Sequence, residues 1–130
     1  MVMIATGKRF DPAPLAGALR GAAIEVEAAS SDCLMAASER LAVEVARENT
    51  LGVLITRHTA AALCLANRLA GVRAIHVADA GGVAAAAESI GANVLILDPQ
   101  GGLFALKRLV GEFCRDGVRE CPEVFRKKLG

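Results

Sequence analysis

The sequence has no tryptophan and no tyrosine, and its four phenylalanines leave aromatic residues at 3%. Base stacking on aromatic side chains therefore has little to work with, and any core must be aliphatic. An excess of one charge is also missing. The 15 Lys and Arg are set against 14 Asp and Glu for a formal charge of +1, far from the basic balance of nucleic-acid binders. Long apolar runs are absent too. The longest charge-free stretches, 58–67 and 89–97, reach about half of the ~20 residues that a membrane-spanning helix needs. The start, MVMIATGKRF, lacks the basic leader and extended apolar segment of a signal peptide, so a cytoplasmic location is expected. The four cysteines, Cys33, Cys64, Cys114 and Cys121, form no CxxC pair, and the Cys/His grouping of structural zinc is lacking. Free thiols, buried or half-buried, are the expectation, above all Cys64 in the apolar run AAALCLAN. Neither nucleic acid nor membrane is implied as a partner, and no metal or cofactor is implied.

What is present is abundant small aliphatic side chain. Hydrophobic residues make up 54% of the chain, 26 of the 130 residues are alanine, and the mean hydropathy is +0.43. That much apolar surface can offset chain entropy in a packed domain, and the length suits one domain over residues 1–130.

Short apolar runs alternate with helical segments, the pattern of a parallel sheet covered by helices on both faces. Strands are expected at 2–6 (VMIAT), 24–28 (IEVEA, alternating and so an edge strand), 52–56 (GVLIT), 72–77 (VRAIHV) and 93–97 (NVLIL). The intervening helices are expected at 12–20, with Asp11 as N-cap and Pro12 at the first helical position, and then from a Ser31 or Asp32 cap to about Asn49. A third should run to Leu69, closed by Gly71, and a fourth over 82–89, closed by Gly91. Residues 103–115 form the last long helix, and a short basic one begins with Pro122 at its first position and ends in RKKLG. The fold class is thus α/β: a three-layer α/β/α sandwich around a five-stranded parallel, Rossmann-like sheet, with a C-terminal basic helix. The segment from Lys107 to Gly130 carries +3 against −2 for the remainder, which suits either a solvated surface helix or a site for a phosphate or a partner subunit.

Open parallel sheets bind ligands beyond the carboxyl ends of their strands, where helix N-termini present free N–H groups to anions. The loops at 6–11, 56–60, 77–82 and 97–102 are the places to search. They hold Lys8, Arg9, Thr56, Arg57, His58, Thr59, Asp79 and Asp98. There is no GxGxxG, Walker loop or GxSxG. His58, in a loop after a buried strand, is a candidate acid or base or a plain surface histidine, whereas His76, inside a strand, reads as structural. Asp79 either orients a ligand or caps the helix that begins near residue 82.

From Gly52 to Leu97 the sequence resembles the central segment of ribose 5-phosphate isomerase type B and the related galactose 6-phosphate isomerase subunits. The resemblance rests on strand 52–55, Ala66-Asn67-Arg68, Gly71-Val72-Arg73-Ala74, Asp79 and Ala92-Asn93-Val94-Leu95. It implies metal-free interconversion of phosphorylated aldoses and ketoses through an enediol. Such chemistry needs a base, donors for the developing oxyanion and a phosphate clamp. In that family a Gly-rich loop after the third strand, often opened by a catalytic Cys, and a His before the aspartate matching Asp79 supply much of this. Here the Cys position reads Thr56, the loop glycines read Arg57, Thr59 and Ala61, and the His position reads Ala78. The Asp-His pair after the first strand reads Arg9-Phe10.

A Thr hydroxyl is a far poorer base than a thiolate, and side chains in place of glycines restrict the loop. The resemblance therefore implies a divergent sugar-phosphate isomerase relative, either weakly active or a non-catalytic subunit. His58, Asp79 and Thr56 are its candidate catalytic groups. Arg57, Thr59, Asn67 and Arg119 are candidates for binding the substrate or another anion, Arg119 matching a family arginine supplied across a dimer interface. The alternative is a binding or regulatory module for a phosphorylated or other anionic metabolite. The implied partners are a small phosphorylated sugar or related anion, and a second copy of the chain or a related subunit.

Overall fold

A computed structural model describes all residues, Met1–Gly130. The expected three-layer α/β/α architecture is present. The elements run β1 (Val2–Thr6), α1 (Ala13–Gly21), β2 (Glu27–Ser31), α2 (Leu34–Glu48), β3 (Gly52–Ile55), α3 (Thr59–Asn67), β4 (Ala74–His76), α4 (Val83–Ile90), β5 (Val94–Leu97), α5 (Gly102–Cys114) and α6 (Arg126–Leu129). All pairings are parallel, in the order β2-β1-β3-β5-β4.

Side chains of successive strand residues point to opposite faces of the sheet, and this divides the core in two. Met3, Ala5, Val53, Ile55, Leu95 and Leu97 pack with Leu15 and Leu19 of α1, Val83 and Ala87 of α4, and Leu106, Val110 and Phe113 of α5. Val2, Ile4, Leu54, Val94 and Ile96 pack on the other face with Ala37, Leu41 and Val45 of α2 and with Ala62 and Ala66 of α3. The central strands are apolar throughout because both of their faces are covered. On α2, Ala37, Leu41 and Val45 recur four residues apart, and the helix ends at Asn49 in the left-handed region with φ 48°.

Several boundaries differ from the sequence reading. The edge strand is 27–31, not 24–28, and its residues EAASS are largely exposed. It is held by its ladder with β1, Val2 opposite Glu27 through Thr6 opposite Ser31. The alternation at 24–28 instead falls on the irregular stretch 24–26 that leads into the strand, where Val26 is buried and Ile24 packs against the core. The N-cap of α2 is Cys33, whose Sγ accepts the Ala36 N–H at 3.5 Å, while the Ser31 hydroxyl accepts the Cys33 N–H. Pro12 is the N-cap of α1, and Asp11 accepts the Ala13 N–H from one position further out. Helix α3 stops at Asn67, and β4 is confined to 74–76.

Cys64 is exposed rather than buried. The buried stripe of α3 is Ala62 and Ala66, and a residue midway between two such positions faces outward at ~100° per residue. The basic C-terminal helix is a single turn, 126–129, preceded by a 3-10 turn at 123–125 in which Pro122 is the cap.

Candidate functional site

The chain runs from β1 to β2 on one side and returns to β3 on the other, so the connections diverge between β1 and β3. A crevice beyond the strand ends is expected at such a point, and one is found there. It is a cleft of about 600 Å³ lined by Thr6, Gly7, Lys8, Arg9, Phe10, Arg57, Pro99 and Gln100, a size within the ~300–1,000 Å³ of small-molecule sites.

Three loops build it. After β1, Gly7 at φ 104° turns the chain in a region that a Cβ would strain. The turn leaves Lys8 and Arg9 exposed and tucks Phe10 partly into the core. After β3, Thr56 is fully buried. Its N–H donates to the Leu97 carbonyl at 2.9 Å, and its hydroxyl oxygen accepts the His58 N–H at 3.1 Å. This local turn delivers Arg57 to the cleft. After β5, the Asp98 carboxylate accepts the Gln100 N–H at 2.9 Å, fixing the Pro99-Gln100 wall.

The lining contains Lys8, Arg9 and Arg57 and no carboxylate. None of the three takes part in an ion pair; the two pairs of the protein are Arg40–Glu44 and Arg115–Glu112 elsewhere on the surface. Guanidinium and ammonium groups directed at one cleft without internal partners are donors for phosphate or carboxylate.

The other sequence candidates are dispersed. His58 is the exposed N-cap residue of α3 and Thr59 its half-buried first residue, and neither lines the cleft. Asp79 follows β4, which β5 separates from β3, and it caps a short 3-10 turn by accepting the Gly81 N–H at 3.0 Å.

Asn67 acts as a clasp between α3 and β4. Its amide donates to the Ala74 carbonyl at 3.1 Å and accepts the Ala74 N–H at 2.8 Å. His76 places Nδ1 2.9 Å from the Ile96 carbonyl. Arg119 lies at the opposite end of the sheet. There its guanidinium donates to the carbonyls of Phe113 (2.9 Å) and Ala92 (3.4 Å) and stacks over the Phe113 ring. Arg119, Arg73 and Arg126 line a separate cavity of about 550 Å³, and all three donate to backbone carbonyls.

The structure thus brings Arg57 together with Lys8 and Arg9, two residues of the first loop that motif spacing did not select. The divergence of connections at β1 and β3 is the signal that could have selected them. No three His, Cys, Asp or Glu side chains converge closely enough to hold a metal ion, and no helix is long and apolar enough to cross a membrane.

No protein-family model and no curated protein matches the sequence. Solved structures do match in fold. A ribose 5-phosphate isomerase B from Thermotoga maritima gives a TM-score of 0.76 at 18% identity, over 97% of this chain and 92% of that one. The enzyme from Clostridium thermocellum gives 0.77 at 17% identity, over 99% and 92%. That from Mycoplasma genitalium, with bound ribulose-5-phosphate, gives 0.74 at 20% identity, over 97% and 90%. The fold implied by the resemblance at 52–97 is therefore the fold of the whole chain.

Proposed function

We propose that this chain is a ribose 5-phosphate isomerase B-like protein that holds a phosphorylated sugar or related small anion in the cleft between the β1, β3 and β5 loops. In this reading it is at most weakly active as an isomerase. The observation that carries the reading is the cleft lining, with Lys8, Arg9 and Arg57 and no carboxylate. Small anions are commonly held by cationic side chains and backbone N–H groups at the carboxyl ends of parallel strands.

Weak or absent isomerisation follows from Thr56. At that position the hydroxyl is buried and already accepts the His58 N–H, and a hydroxyl is a poor base near neutral pH. His58 and Asp79 lie outside the cleft lining, so pairing with a second copy or a related subunit is the remaining route to a complete site.

The test combines binding with proton exchange. Ribose 5-phosphate and hexose 6-phosphates should raise the melting temperature, by about 2.7 kcal/mol of added stability at a hundredfold excess over Kd. Arg57→Gln should reduce that shift. Proton NMR in deuterated water should show little or no label entering the carbon beside the carbonyl. Absence of stabilisation by every sugar phosphate would overturn the binding reading, and rapid label incorporation would overturn the weak-activity reading.

A further inference from the structure

The three cations of the cleft do not come from one wall. Lys8 and Arg9 stand on the loop after β1, and Arg57 on the loop after β3, the strand that pairs with β1. Adjacent strands lie about 4.8 Å apart, so these side chains start close together and face a shared space. None makes a side-chain hydrogen bond or an ion pair within the protein.

The two carboxylates on the loops that line the cleft do not pair with them. Asp11 accepts the Ala13 N–H at 3.0 Å, and Asp98 accepts the Gln100 N–H at 2.9 Å. Neither is within ion-pair distance of Lys8, Arg9 or Arg57. Three like charges around one cleft repel one another, and no carboxylate of the chain forms an ion pair with any of them. The rest of the lining suits the middle of a small polar molecule. Gln100 can meet hydroxyl groups, and Phe10 and Pro99 present carbon surface.

We infer that the ligand of this cleft carries two anionic groups, a phosphate at one end and a second phosphate or a carboxylate at the other. One group would be held by Arg57 and the other by Lys8 and Arg9. The inference rests on the proposed phosphorylated-ligand reading and narrows its ligand class. A sugar phosphate with a neutral carbonyl end brings at most about two negative charges to three cations and leaves positive charge in excess. A sugar bisphosphate or a phosphorylated sugar acid would engage both walls. Because the three side chains are exposed, the gain should shrink as salt rises.

Isothermal titration calorimetry tests this without fluorescence, which a chain lacking Trp and Tyr cannot supply. The probes are ribose 5-phosphate, 5-phosphoribonate and ribulose 1,5-bisphosphate at low and high salt. The expected result is that the two bis-anionic probes bind about tenfold or more tighter than ribose 5-phosphate at low salt, as additional charge-assisted hydrogen bonds would give. The Lys8→Gln/Arg9→Gln double variant should bring that ratio close to one. The substituted side chains are exposed, and an unchanged melting temperature without ligand checks that the variant is folded. Equal affinity for all three probes in the wild type overturns the two-anion inference and leaves the phosphorylated-ligand reading standing. Failure of all three to bind overturns both. A preference that survives the double variant also overturns the inference, because the second anionic group would then be held elsewhere.

Discussion

Arg73 offers the most sharply defined perturbation of this fold. Its side chain is 8% exposed, and it sits where β4 and β5 begin. Nε donates to the Gly91 carbonyl at 2.9 Å, Nη1 to Gly71 at 3.4 Å and Nη2 to Arg119 at 3.4 Å. The guanidinium thus ties the end of α3, the end of α4 and the C-terminal segment to one point. Substitution by Met keeps the aliphatic stem and removes all three donors. Losing the short bond leaves the buried Gly91 acceptor unpaired, at about 1–3 kcal/mol, and the two long bonds add roughly 0.5 kcal/mol each. Removing a buried charge with no counter-ion works the other way, which holds the net loss to about 2–3 kcal/mol. For a domain of this size that lowers the melting temperature by roughly 6–12 °C. Calorimetry or far-UV circular dichroism reads it directly. Arg73→Lys, with one compact donor group, should fall between the wild type and Arg73→Met, and proteolysis in the Met variant should begin within 118–130. If Arg73→Met melts within about 2 °C of the wild type, the account of this junction is wrong.

Further outcomes follow from local geometry. Gly91, at φ 63°, lies where an added Cβ would meet the Glu120 carbonyl oxygen, so Gly91→Ala should cost about 2–4 kcal/mol in urea unfolding or displace the 118–121 segment from its seat. Cys33 caps α2 through a sulfur, a weak acceptor. Cys33→Ser should therefore raise stability by about 0.5–1 kcal/mol, and a loss would argue against the cap. Burial pushes the Cys114 thiol above its ordinary value of 9.0, with the N-terminal ammonium and Arg119 pulling weakly the other way. Native alkylation near pH 8 should thus label Cys33 and Cys64 well before Cys114. The same shift sets a pH dependence. The unfolded thiol ionises first, so its stability contribution is fully present below 9.0 and is lost as pH climbs from there toward the folded value. Equal rates for all four thiols would contradict this placement.

The layered architecture was legible because β1, β3 and β5 must be apolar on both faces, and VMIAT, GVLIT and NVLIL announce that directly. The edge strand was not, because EAASS is held by backbone pairing to β1 and carries no hydrophobic signal of its own. The candidate site was legible only as a set of loops. Lys8 and Arg9 meet Arg57 because β1 and β3 are neighbours, a relation set by strand order rather than by any spacing along the chain. Asn67 illustrates the converse. Its place in the resemblance suggested ligand binding, yet both ends of its amide are engaged by the Ala74 backbone, a demand that arises only once α3 packs beside β4.

The central claim is that the cleft beyond β1, β3 and β5 holds a phosphorylated small anion. Nitrogen-15-resolved amide NMR during titration with ribose 5-phosphate tests it most directly. The account predicts saturable shifts concentrated at Gly7, Lys8, Arg9, Phe10, Arg57 and Gln100, weakened in Arg57→Gln. Shifts concentrated instead at Arg73, Arg119 and Arg126, or no shifts at saturating ligand, would contradict it.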